Sequence, residues 1–336
     1  MNKITLALPS KGAIAEPTLD FLKEAGLRVY KPNDRQYTGS IPAIPQIEVL
    51  FQRVKDVVYK VADGTAQLGV TGLDVVFENP SDDLIVIHPA LGYGHCQLII
   101  AVPEAWIDVE TVADLADVVQ DFRELKGRNL RVATTYPSQT RQFFHAQGIH
   151  HFTIVRAEGA IEAAPTIGYA DIVVDLTQTG TTLRENHLKP LVDGTITEAQ
   201  ACLIGNRQAL LGDPLAREVL RPLVEHIDAA LQGKQYQQIT INMSGADPET
   251  VARRIVENPV TRGLQGPTVA PIYSSSGDPD GRERWFTVTL MVRSKELLAA
   301  VDYLRSLGGR QVTVTPVRFV FLEESATYRR LLELLG

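Results

Sequence analysis

ADIVVDLTQTGTTLREN, Ala170 to Asn186, changes character twice. An apolar run ends in Asp175, a turn crowds Thr177, Thr179, Gly180, Thr181 and Thr182 together, and Leu183 opens a helical pattern. Strand, turn and helix in that order are the unit of an α/β fold. A turn of this kind aims backbone N–H groups and hydroxyls at one point, at a helix start whose dipole favours an anion, and so suits a phosphate. Asp175 at the strand end is then positioned to accept from ribose hydroxyls or to stabilise a developing cation. Threonine is also a common helix cap, and a capped turn without a ligand reads this segment equally well on its own.

The same unit recurs on both sides. Ile4 to Leu8 is β-prone and is broken by Pro9, Ser10, Lys11 and Gly12; Leu19, Phe21, Leu22 and Leu27 follow at helical spacing, with Gly26 as a C-cap. Ile47 to Phe51 and Gln67 to Thr71 read as strands flanking a helix from Val54 to Asp63. Cys96 to Pro103 is a continuous apolar strand, a charged helix-like segment runs from Asp108 to Leu125, and Asn129 to Thr134, Phe152 to Arg156 and Asp171 to Asp175 supply further strands. If Ala201 to Ile204 returns to the first sheet, the first domain is discontinuous (1–102 with 184–212), the second spans 103–183, and Leu91 to Gly94 is a flexible crossing. A helix from Asp213 to Ala230, closed by Gln232 to Gln235, forms a linker over 213–234. The third domain, 235–322, has the order β-α-β-β-α-β of ferredoxin-like modules, with a mobile polar loop expected at Ser274 to Arg284 and a helical tail at 323–336.

The 336 residues include 33 Lys+Arg and 40 Asp+Glu, a net charge of −7, and 44% are hydrophobic, as in a globular protein of two or three domains. With no basic field, nucleic-acid binding is a poor expectation. Cys96 and Cys202 are too few for a disulfide framework or a thiolate metal cluster. The N-terminal apolar run is too short for an export signal, and no stretch approaches the roughly 20 apolar residues that span a bilayer, so a cytoplasmic location without membrane contact is expected. His145, His150 and His151 lack a matching acidic partner set and read as surface residues. There is neither a GxxxxGK[ST] loop nor a GxGxxG after the first strand.

Other strand ends carry ligand-type residues. Lys11 with Gly12 follows the first strand, where α/β folds bind ligands. Arg53 and Lys55 follow the next, and Gly72, Leu73 and Asp74 the one after; together they offer cations and close backbone contacts around one cleft. Tyr136, in a hydroxyl-rich turn, could stack on a purine, and Gly159 beside Glu158 permits backbone approach.

LPSKGAIAEP, DVVYKVADGTAQLGVTGLDVVFEN, LGYGHCQLIIAVP, RVATTYPSQTRQFF and GYADIVVDLTQTGTTLREN resemble the ATP phosphoribosyltransferases that open histidine biosynthesis. GLQGPTVAPI and LRSLGGRQVTVTPVRFVF resemble the regulatory domain of the long form; short-form members rely on a histidyl-tRNA-synthetase-like partner instead. The resemblance implies a two-lobed catalytic core of the type II periplasmic-binding-protein kind plus a ferredoxin-like, ACT-like regulatory domain, a homohexamer, and Mg²⁺ held mainly by substrate. The reaction implied is transfer of 5-phosphoribosyl from phosphoribosyl pyrophosphate to N1 of ATP, releasing pyrophosphate. By position, Thr179 to Thr182 would hold the 5-phosphate, with Thr177, Leu183, Glu158 and Gly159 alongside and Asp175 on the ribose. Lys11, Gly12, Arg53 and Lys55 would meet the pyrophosphate or the ATP phosphates, and Gly72 to Asp74 with Tyr136 would line the nucleotide pocket. Some members have arginine where this chain has Ala13. L-Histidine, the inhibitor, would bind near Asn242, Leu264 and Thr268 between neighbouring regulatory domains. A noncatalytic two-lobed binding or regulatory protein would share the fold, but the Thr-rich turn together with Lys11 favours the enzyme.

Overall fold

The computed structural model describes residues 3–33, 36–157, 159–273 and 284–335. The chain begins with β1 (Ile4–Pro9), α1 (Ala15–Glu24), β2 (Thr38–Ser40), β3 (Ile47–Gln52), α2 (Val54–Ala62), β4 (Leu68–Gly72), α3 (Leu73–Glu78) and β5 (Leu84–His88). Next come β6 (Cys96–Pro103), α4 (Val112–Leu125), β7 (Leu130–Thr134), α5 (Pro137–Ala146), β8 (Phe152–Arg156), α6 (Ala164–Ile167), β9 (Ile172–Thr177), α7 (Thr181–Glu185) and β10 (Leu188–Ala199). β11 (Ala201–Asn206), α8 (Arg207–Gly212) and α9 (Pro214–Lys234) lead to β12 (Tyr236–Gly245), α10 (Pro248–Val256), β13 (Thr268–Pro271), β14 (Arg284–Arg293), α11 (Leu297–Ser306), β15 (Arg310–Pro316) and α12 (Ala326–Leu335). Two units result: one holds the residues up to Phe21, Arg28–Leu220 and the stretch from Arg330, the other Leu22–Leu27 and Arg221–Arg329.

The first unit contains two sheets, hence two lobes. One has the order β2-β3-β1-β4-β11-β5; β1, β3 and β4 run parallel, and β11 lies antiparallel between β4 and β5. The return of β11 makes this lobe discontinuous, the two-lobed plan expected. The second sheet has the order β10-β6-β9-β7-β8. β6 reads as unbroken apolar sequence because both faces are covered: Leu98, Ile100 and Val102 pack with Leu115, Val119 and Phe144, while Ile99 and Ala101 pack with Val173, Leu183 and Leu188. α4 starts at a capping box in which Thr111 and Asp114 bond reciprocally.

Domain limits at 103 and 184 cut through this sheet, since β6 and β10 both pair within it. A strand buried on both faces looks alike in either lobe, and β10, bulged and with its buried residues irregularly spaced, has no alternation to declare it. Leu91 to Gly94 is an ordered crossing rather than a flexible one. Tyr93 is half-buried, donates its hydroxyl to Thr18 (2.9 Å) and packs its ring tilted against Phe21 at 5.4 Å, and a Cβ on Gly94 would come within 2.5 Å of Ile14.

In the second unit the sheet order β13-β14-β12-β15, all antiparallel, realises the ferredoxin-like plan. Ile239, Ile241 and Met243 alternate inward to meet Val251, Ile255, Ala300 and Leu304. Two readings are corrected: α9 continues through Gly233 to Lys234, and the last strand ends at Pro316 instead of Phe321. At Gly233, inside this helix, the backbone of Arg318 passes 2.4 Å from where a Cβ would stand, so a side chain there would collide with it. The loop expected to be mobile lies, but for Arg284, outside the described residues. Among the described residues no helix is long and apolar enough to cross a membrane.

Candidate active site

β9 delivers Asp175 near its C-terminal end, half-buried, with Oδ1 accepting from the Leu176 N–H at 2.8 Å. Burial, reinforced by the nearby Glu162, raises its pKa to about 6 against the opposing pull of Lys55. The turn beyond closes when Thr177 Oγ1 accepts from the Gly180 N–H (2.9 Å). Gly180 has φ +69°, which glycine adopts without the penalty a Cβ brings. Thr179, Thr181 and Thr182 are exposed, the first two with hydroxyls 3.0 Å apart, whereas the Leu183 side chain is buried in the lobe core and anchors the turn. Arg184 is the residue whose N–H bonds back to Gly180 O (3.2 Å), so the N–H groups before it lie at the unbonded start of α7. α7 has only five residues, so hydroxyls and local N–H groups outweigh any helix dipole.

The first lobe presents cations. Parallel pairing puts Pro9 opposite Gln52, and the Ser10 N–H bonds Gln52 O at 2.7 Å, which brings Lys11 and Gly12 beside Arg53. All three are exposed, and Gly12 has φ +95° with Val54 3.8 Å from where a Cβ would stand. Arg53 caps α2 in extended conformation, and Lys55 lies in its first turn. Gly72 precedes α3; a Cβ there would fall 2.2 Å from Asp74 Oδ1, so only glycine leaves room for that carboxylate. Leu73 is half-buried and its N–H bonds Gln200 O (2.9 Å).

The lobes meet at Tyr136. Its hydroxyl donates to Asp74 Oδ2 at 2.6 Å, and the Lys55 ammonium stands 6.0 Å from its ring centroid. Tyr136 is 5% exposed and belongs to the second-lobe core, because the turn following β7 folds the ring inward, yet it is also among the residues that line a cavity. Desolvation holds its hydroxyl above the ordinary tyrosine range and raises the Asp74 carboxyl too. Beside it lies a cavity of about 360 Å³ lined by Lys55, Glu78, Thr135, Ser138 and Arg156 among others. Arg156 and Glu78 escaped the sequence reading. Arg156 ends β8 as Lys11 follows β1, so the strand-end rule would have found it; Glu78 carries no local signal.

The structure therefore joins Lys55, Asp74, Tyr136 and Asp175 electrostatically, and groups Lys11, Gly12 and Arg53 on adjoining strand ends. Gly159, with φ +73°, has open space where a Cβ would stand; Glu158 lies outside the described residues. In the second unit Asn242 donates to Gln311 Oε1 (2.6 Å), Thr268 is exposed two strands away, and Leu264 is 38% exposed, so one chain does not gather these three to a point.

The family described as HisG, ATP phosphoribosyltransferase, matches residues 53–229, and the HisG C-terminal domain matches 233–318. ATP phosphoribosyltransferase 2, chloroplastic, of Arabidopsis thaliana is 40% identical over 100% of this chain and 81% of its own length. The ATP phosphoribosyltransferase of Nitrobacter hamburgensis is 36% identical over 98% of this chain and 97% of its own. A chain of the ATP phosphoribosyl transferase (HisG:HisZ) complex from Thermotoga maritima is similar in structure with TM-score 0.52 and 25% identity, covering 67% of this chain and 95% of that one. With the first family model matching more than half of its residues, the C-terminal domain model following it, and a relative 36% identical over 98% of its length, the chain belongs to the ATP phosphoribosyltransferase family, in the long form that carries the C-terminal domain.

Proposed function

We propose that the family reaction runs between the two lobes of the first unit, with phosphoribosyl pyrophosphate held by the Thr177 to Leu183 turn and ATP held from the cationic side. The observation that carries this is the turn itself: exposed hydroxyls of Thr179, Thr181 and Thr182 beyond a left-handed Gly180, with the half-buried Asp175 behind them. Adenine N1 forms a bond to the anomeric carbon as the bond from that carbon to pyrophosphate breaks, so the ribose gains oxocarbenium character and the leaving group gains negative charge. Catalysis of such a step is mostly positioning and preorganised charge. Ionised Asp175 faces the cationic ribose, with Gly159 beside it, while Lys11, Gly12, Arg53 and Lys55 receive the pyrophosphate or the ATP phosphates. Gly72 and Leu73 wall the nucleotide side.

Among the described residues no group of three or more His, Cys, Asp or Glu could cage a metal ion. Mg²⁺ would then be carried mainly by the substrates' phosphate oxygens, and Asp175 with its neighbour Glu162 would be the carboxylates on hand to help hold it. When bound, the ion neutralises the departing pyrophosphate. We further propose that the protein works in the cytoplasm as a homohexamer and that L-histidine inhibits it through the second unit.

The turn is tested by titrating phosphoribosyl pyrophosphate into two variants. Thr182→Ala removes a hydroxyl donor to a charged oxygen, worth about 1.5–3 kcal/mol, so affinity falls roughly tenfold or more. Gly180→Val sets a β-branched residue at φ +69° and obstructs the phosphate, with a loss at least as large. Wild-type donor affinity in both variants would move the phosphate site elsewhere.

A further inference from the structure

We infer that Asp74, Glu78, Tyr136 and Gln139 are positioning residues for this reaction: they clasp α3 of one lobe to α5 of the other and thereby fix Lys55 against Asp175. The inference rests on the proposed site, and its test separates the two.

Asp74 and Glu78 stand four residues apart, one above the other on the same face of α3, and both bond across to the second lobe. Asp74 takes the Tyr136 hydroxyl at 2.6 Å on its carboxylate and the Gln139 amide at 2.9 Å on its backbone carbonyl. Gln139 is engaged at both ends, its Oε1 accepting the Thr197 hydroxyl at 2.8 Å. Glu78 accepts the N–H groups of Ser138 (2.8 Å) and Gln139 (3.2 Å) at the first turn of α5. Asp74, Tyr136 and Gln139 are each 5% exposed. A buried carboxylate and a buried hydroxyl are costly unless hydrogen-bonded, and here each is the other's partner. Gly72 makes the room that the Asp74 carboxylate occupies, so the local sequence is shaped around the clasp.

The functional charges converge on it. The Lys55 ammonium lies over the Tyr136 ring, and the same lysine acts on Asp74 and on Asp175. Lys55 belongs to the first lobe and Asp175 to the second, so a shift of one lobe against the other changes their separation directly. A misplacement of about 1 Å between reacting partners can cost on the order of 100-fold in rate.

Two measurements on the full chain test this. In hydrogen exchange, Tyr136→Phe and, separately, Gln139→Leu speed exchange at the start of α5, around Ser138 and Gln139, whatever the protein's activity. In kinetics, Tyr136→Phe lowers kcat about tenfold or more while affinity for phosphoribosyl pyrophosphate stays within twofold, because the donor's turn lies wholly in the second lobe. Asp74→Asn, which still accepts from the Tyr136 hydroxyl, retains more turnover than Asp74→Ala. Unchanged exchange in both clasp variants overturns the clasp. Faster exchange with wild-type kcat makes it merely structural and overturns the positioning role, and a loss confined to substrate affinity makes these residues ligand contacts. Failure of the wild-type chain to bind the donor at all, with exchange responding as expected, would instead sink the proposed function and with it the positioning role.

Discussion

Asp175→Asn is expected to lower turnover by two to three orders of magnitude and, at the same time, to stabilise the protein at pH 8. The first effect follows from removing the preorganised negative charge that faces the ribose cation, a change of the size seen when one such group is lost. The second follows from linkage. An acid whose folded pKa is raised to about 6, above the roughly 3.9 of the unfolded chain, disfavours folding wherever its folded form must ionise. The penalty is fully present above pH 6, shrinks as pH falls and is gone below about pH 4. Asparagine removes it, so Tm should rise by a few degrees at pH 8 and hardly at all at pH 4, an increment of about 1–3 kcal/mol. In the wild type, kcat/KM should fall as Asp175 protonates below about pH 6. The substrate's phosphate titrates nearby, so the limb belonging to Asp175 is the part that vanishes in Asp175→Asn. An active Asp175→Asn enzyme, or one less stable at pH 8, would contradict the role given to this carboxylate.

Thr268→Val and Asn242→Leu are expected to raise the histidine concentration for half-inhibition about tenfold, within the range of a coupling of 1–3 kcal/mol, while turnover without histidine stays within twofold. Thr268 on β13 and Asn242 on β12 share the sheet face opposite the buried Ile239 and Ile241, separated by Thr287 and Thr289 of β14. That spacing suits a ligand whose remaining contacts come from a neighbouring subunit. Saturating phosphoribosyl pyrophosphate should leave the inhibition in place. Competition by the donor would move the histidine site into the catalytic cleft, and unchanged sensitivity in both variants would move it elsewhere in the chain.

What the sequence declares by itself is local. Asp175, the threonine turn and the cations after β1 and β3 were legible because strand, turn and helix alternate visibly and strand ends face the ligand side of an α/β fold. The β-α-β-β-α-β order of the second unit was legible for the same reason. What stayed hidden depends on partners far along the chain. Asp74 meets Tyr136 across 62 positions, and Glu78 meets Ser138 across 60. Nothing near Tyr136 in sequence says that its ring turns inward to a buried carboxylate. The lobe to which β6 and β10 belong is likewise a matter of pairing, which hydrophobic content does not report.

Each of these roles presupposes one chemical step. Purified full-length protein, given ATP, phosphoribosyl pyrophosphate and Mg²⁺ together, should release pyrophosphate in step with formation of N1-phosphoribosyl-ATP. No more pyrophosphate from the two substrates together than from either alone would contradict it.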